Sequence, residues 1–182
     1  MIIKKLISIL SICGITIGLS GLPCITTNAS TTKNNQDFVI YKQALQTNKD
    51  HKFTTNQIRS FVYYWYGLHD VHADINKSYA VLDQDHLLMV FPDGIIHNLT
   101  DYKKWYDAVG ANIKNNLHIV KNLEITPISN HQYQVNVVVN WQAIDKNDKF
   151  IDTLVTQRWL LVDGPSDTYP YIREYKIINF KS

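Results

Sequence analysis

Residues 53–74, Phe53-FTTNQIRSFVYYWYGLHDVHAD-Asp74, read as one amphipathic helix whose apolar stripe must be buried. Ile58, Phe61, Val62 and Trp65 recur at helical spacing, and Leu68, His69 and His72 continue the stripe. Thr54 followed by Gln57 three residues later is a capping-box pattern, which places the helix start. At the far end the stripe runs into polar groups: Tyr66, His69, Asp70, His72 and Asp74. A functional site is expected there, where titratable side chains meet an apolar face.

Upstream, the chain opens MIIKKLISILSICGITIGLSGLPCITTNAS, two lysines ahead of an apolar run and then small and polar residues. This is the pattern of a secretory signal peptide. Thr27 and Ala29 suit the positions three and one before cleavage, so a signal of residues 1–29 and a mature start at Ser30 are expected. Export to the periplasm or the medium follows. Residues 30–52 are polar apart from Phe38 to Tyr41 and read as a flexible leader ending in a helical turn. The remainder, residues 53–182, has the size of one domain with a single core. Both cysteines, Cys13 and Cys24, fall in the signal, so the mature chain carries no disulfide and no thiol chemistry. Lys4 and Lys5 leave with it, and 16 basic residues then balance 16 acidic ones. That balance gives no electrostatic basis for nucleic acid or an anionic membrane. No later stretch has the length and hydropathy of a membrane span.

Downstream, Asp74 caps a second short helix through Tyr79. Leu87 to Phe91 is a strand, Pro92-Asp93-Gly94 a turn, and Ile95 to Leu99 a short returning strand. Thr100 is read as the cap of a helix with an aromatic stripe of Tyr102, Trp105 and Tyr106, continued by Val109 and Ile113. Long strands follow at Leu117 to Thr126, Tyr133 to Ala143, Phe150 to Val162 and Tyr171 to Phe180, joined by hairpin-length turns. In the second of them Tyr133, Val135, Val137, Val139 and Trp141 share one face and Asn136, Val138 and Asn140 the other. The expectation is an α+β domain, with helices on one face of a curved antiparallel sheet.

This element order resembles the nuclear transport factor 2-like superfamily, and its SnoaL-like branch in particular, from about Thr54 to Phe180. Two stretches carry the likeness: WYGLHDVHADINKSYAVLDQD at the end of the first helix, and NNLHIVKNLEI, where His118 and Asn122 match a His-x-x-x-Asn pattern. The resemblance implies a cone-shaped fold wrapped around a pocket. The superfamily includes isomerases, cyclases, dehydratases and epoxide hydrolases beside non-enzymatic members. Against scytalone dehydratase-like members, Tyr66 and His118 match a Tyr and a His, while Gly67 stands where an Asp is expected. Against ketosteroid isomerase-like members, Asp93 lies near the Pro-containing turn, Trp65 or Tyr66 stands for a helix Tyr, and Arg158 occupies the region of the later acid.

The candidate polar core is therefore Tyr66, Asp70 and His118, with His118 as general acid or base. Candidate ligand contacts are Trp65, His69, Tyr106, Asn140, Trp141 and Arg158. His118 also reads as a core histidine held by a neighbour, and each aromatic as plain core. His69 and His72 lack a metal-site motif, and no Ser-His-Asp order, phosphate loop or dinucleotide fingerprint is present, so neither metal nor cofactor is expected. Two functions stay open. One is a domain that binds a small, largely apolar molecule and carries out isomerase, cyclase or dehydratase chemistry. The other is a homodimeric binding or assembly module whose cone is filled by its own side chains.

Overall fold

The computed structural model describes residues 38–181 apart from 40, 44, 47 and 48, with backbone alone at 180 and 181. The chain divides into two units, residues 1–37 and 38–182. The expected signal peptide and its cleavage site lie outside the described residues. Between 38 and 50 the described residues are helical and exposed. Among the described residues no helix is long and apolar enough to cross a membrane.

The first long helix, α1 (Thr55–Asp70), starts with both arms of the capping box in place: Thr54 accepts from the Gln57 amide and the Gln57 side chain reaches back to Thr54. It ends four residues earlier than its pattern suggests. Val71 is exposed and His72 takes a positive φ of 44°, so His72 leaves the helix stripe. Asp74 then caps α2 (Ile75–Tyr79). β1 (Leu88–Phe91) and β2 (Gly94–Ile96) form a tight hairpin, and α3 (Leu99–Asn112) follows. The cap of α3 is Asn98, not Thr100: its side-chain oxygen accepts from the Asp101 amide at 2.9 Å, which ends the returning strand early.

α3 passes directly into β3 (Ile113–Ser129), a strand 17 residues long that begins well before Leu117. β4 (Gln132–Asp145), β5 (Phe150–Val162) and β6 (Tyr171–Lys181) complete a six-stranded sheet of order β2-β1-β6-β5-β4-β3. The long strands are antiparallel throughout, but β1 joins β6 in parallel, a pairing that hairpin turns alone do not reveal. The fold is α+β, with a mostly antiparallel curved sheet.

The α1 stripe and the inner sheet face make the core. Ile58, Phe61 and Val62 are fully buried against Tyr133, Val135, Val137 and Trp159. β3 is bulged between Val120 and Asn122. His118 and Val120 point inward before the bulge, and Leu123 and Ile125 after it, so the extra residue switches the inward set from even to odd numbers.

Tyr133 ties the entry of α1 to the far end of the sheet. Its hydroxyl accepts from the Phe53 amide at 3.0 Å and donates to Asp163 at 3.2 Å, while Lys52 reaches the Gly164 carbonyl at 2.8 Å. Tyr133→Phe leaves the Phe53 amide without its partner. Urea unfolding is expected to show a loss of about 1–3 kcal/mol with an unchanged slope.

Candidate functional site

A cavity of about 430 Å³ lies between the C-terminal halves of α1 and α3 and the inner face of the sheet. That is within the range of small-molecule sites. Trp65, Phe91, Trp105, Trp141 and Tyr175 supply aromatic wall, and Val155 and Ile177 aliphatic wall. Tyr66 and Gln157, both buried, stand at its deep end. Exposed Pro92 and Asp93, from the β1–β2 turn, and exposed Ala108 and Asn112, from α3, form its rim.

The three polar candidates meet. Tyr66 and Asp70 are four apart on α1 and so share a face, while His118 faces them from β3. The Asp70 carboxylate grips His118 twice, accepting from ring Nδ1 at 2.6 Å and from the backbone amide at 3.3 Å. The ring therefore carries its proton on Nδ1, and Nε2, on the opposite edge, is an acceptor. The Tyr66 ring stacks on the His118 ring, with centroids 4.8 Å apart and planes 17° from parallel. Its hydroxyl turns away and donates to Gln157 Oε1 at 2.7 Å. Burial, then the neighbouring Tyr175 and Asp70, pushes the Tyr66 hydroxyl well above its ordinary range, so it stays protonated. Tyr66 is thus a neutral platform under the histidine. The carboxylate absent at Gly67 comes instead from Asp70, on the same helix face one turn after Tyr66.

His69 also lines the cavity, but both of its nitrogens are engaged. Nδ1–H donates to the Trp65 carbonyl at 2.8 Å, and Nε2 accepts from the Tyr102 hydroxyl at 3.0 Å. Burial lowers its pKa to about 4, so the ring is neutral. His72 stacks on Tyr106 at 4.2 Å rather than joining His69 around an ion. Among the described residues no three His, Cys, Asp or Glu side chains are grouped to hold a metal.

Three expected ligand contacts are corrected. Tyr106 stands behind His69, its hydroxyl donating to the Ala73 carbonyl at 2.6 Å, because α3 turns that position toward the end of α1. Asn140 and Arg158 lie on the outer face of the sheet: strand alternation that brings Trp141, Gln157 and Trp159 inward carries them out. Trp65 and Trp141 do line the cavity.

Two polar residues were missed. Asn116 sits on the inner face two residues before His118; it accepts from the Trp141 indole and donates to the His69 carbonyl at 3.3 Å. Alternation about His118 was the signal that could have found it. Gln157 accepts from Tyr66 and, at 3.1 Å, from the Trp159 indole. Its place between Val155 and Trp159 in the strand alternation was the signal that could have found it.

The helices, the sheet order and a cavity at this end of the sheet together identify the architecture. The chain has the nuclear transport factor 2-like fold. A candidate aromatic ring hydroxylase from Novosphingobium aromaticivorans superposes with a TM-score of 0.59 at 11% identity, covering 68% of this chain and 88% of that one. A candidate scytalone dehydratase from the same organism gives 0.55 at 15% identity, covering 65% and 78%. A candidate ketosteroid isomerase from Shewanella frigidimarina gives 0.53 at 15% identity, covering 64% and 89%. No family model matches the sequence. No curated protein matches it either. At these identities the nuclear transport factor 2-like relationship is one of fold.

His69 makes stability depend on pH. The folded ring titrates near 4 and a free ring near 6.5, so between those values the unfolded chain binds a proton that the folded chain does not. The contribution is whole above about pH 6.5 and is lost as pH falls toward 4, by about 3 kcal/mol. Urea unfolding at pH 7 and pH 4.5 should show a larger drop for the parent than for His69→Gln. Equal drops would mean that the ring is not held dry.

Proposed function

We propose that this is an exported protein that binds a small, largely apolar molecule in the aromatic cavity and transforms it by cofactor-free acid–base chemistry. Isomerisation, cyclisation and dehydration are the reaction types in view. The observation that carries the reading is the His118–Asp70 pair at 2.6 Å, stacked on Tyr66 in the wall of a cavity large enough for a ligand.

In this reading a ligand proton passes to His118 Nε2, or from it once the ring is charged. Asp70 fixes the tautomer and offsets the positive charge that the ring acquires. Tyr66 and Gln157 hold the ring plane, and the aromatic walls exclude water. The neighbouring folds named for scytalone dehydratase and ketosteroid isomerase support the class without choosing a reaction. Export rests on Lys4, Lys5 and the apolar run after them.

An assembly role has its own support in Leu117 and Leu154, which are exposed on the outer face of the sheet. A homodimer through that face is compatible with a working cavity on the other.

Native mass spectrometry of protein taken from its own secretory compartment, before and after mild denaturation, should reveal a bound small molecule. With that molecule as substrate, His118→Gln is expected to lower turnover by about 10²–10⁴-fold and Asp70→Asn by less, with folding intact by circular dichroism. Turnover unchanged in His118→Gln makes the histidine structural.

A further inference from the structure

The charge around the cavity is one-sided. Among the described residues that line it there is no lysine and no arginine, while Asp93 stands exposed at the rim. Both helices line the cavity with side chains of their last turns, His69 from α1 and Val109 and Asn112 from α3, and none of these carries a positive charge at neutral pH. His69 is neutral, and any charge on His118 is paired with Asp70. Beside Asp93 the wall is aromatic: Phe91, two residues earlier in the same hairpin, stacks on Trp105 with centroids 4.6 Å apart. Aromatic faces attract cations, and a carboxylate beside them adds to that preference.

Resting on the small-molecule reading above, we propose that the ligand is an amine. Its apolar body fills the cavity and its ammonium group sits at the rim, against the Asp93 carboxylate and the Phe91–Trp105 pair. Carboxylates, phosphates and other anions are disfavoured, because among the described residues neither lysine nor arginine lines the wall and the Asp93 carboxylate repels them at the rim.

Three probes of one shape separate the charges: naphthalen-1-ylmethylammonium, naphthalen-1-ylmethanol and 1-naphthoate, titrated calorimetrically into the full chain at pH 7 and low salt. The ammonium is expected to bind about tenfold more tightly than the carboxylate, with the alcohol between them, and the spread should narrow at high salt. Asp93→Asn should weaken the ammonium several-fold and leave the alcohol unchanged, while Asp93→Glu keeps the order. Equal binding of all three probes, or tighter binding of the carboxylate, overturns the amine assignment and leaves the cavity reading standing. An ammonium preference that survives Asp93→Asn unchanged also overturns it. If none of the three binds, the cavity reading fails and the assignment with it.

Discussion

One helix stripe laid across one sheet face holds the domain together. Ile58, Phe61, Val62 and Trp65 lose essentially all contact with water against β4, β5 and β6. Burial of that much aromatic and aliphatic surface is the main force available to a domain with no cysteine among its described residues. The stripe also fixes where the polar cluster lies. α1 is anchored at its start by the Thr54 capping box and the Tyr133 hydroxyl, so its last turn is delivered to a set place on β3. There the packing stops being apolar. Tyr66 and Asp70 leave the helix on one face and His69 on another, and each finds a partner on the sheet or on α3.

Those partners matter because the environment is dry. A polar group buried without a hydrogen bond costs roughly 1–3 kcal/mol, and a site holding several such groups survives only if the network closes. Here it does so with few residues. Gln157 Oε1 accepts from both Tyr66 and Trp159, and Asn116 serves both Trp141 and the His69 carbonyl. Trp141 is thereby fixed as a wall, and the last turn of α1 is fixed to the strand that bears His118. The cavity is left open between surfaces that the network holds apart.

Much of this was legible in the sequence. The helix stripe, the capping box, the Asp74 cap and the order of elements follow from periodicity and cap chemistry, which act over a few residues. The meeting of Tyr66, Asp70 and His118 was also reachable, since helical spacing joins the first two and the end of a helix is where a strand returns. What failed was long-range. The parallel β1–β6 pairing joins segments 86 residues apart, Leu88 with Glu174, and leaves no local mark. Asn140 and Arg158 were assigned inward although their own strand alternation carries them out, and only the buried neighbours Val139, Gln157 and Trp159 settle the parity. In β3 the local reading misleads in another way. Counting back from Leu123 and Ile125 by twos turns Leu117 and Ile119 inward and His118 out; the bulge at Val120–Asn122 reverses that.

The two histidines in the cavity wall show how such placement assigns roles. His69 and His118 are the same residue type with the same intrinsic basicity, and both lie where α1 meets β3 and α3. His69 has each ring nitrogen closed by a short bond within the protein, one to a carbonyl and one to a hydroxyl, and burial removes its protonated form until about pH 4. A ring so held can neither give nor take a proton near neutrality; it serves as packing with satisfied edges. His118 lines the cavity with Nδ1 closed, and the closing partner is a carboxylate rather than a neutral oxygen. The two rings of one wall therefore differ in how they are held: His69 is closed on both edges by the Trp65 carbonyl and the Tyr102 hydroxyl in a dry setting, whereas His118 is held at Nδ1 by Asp70.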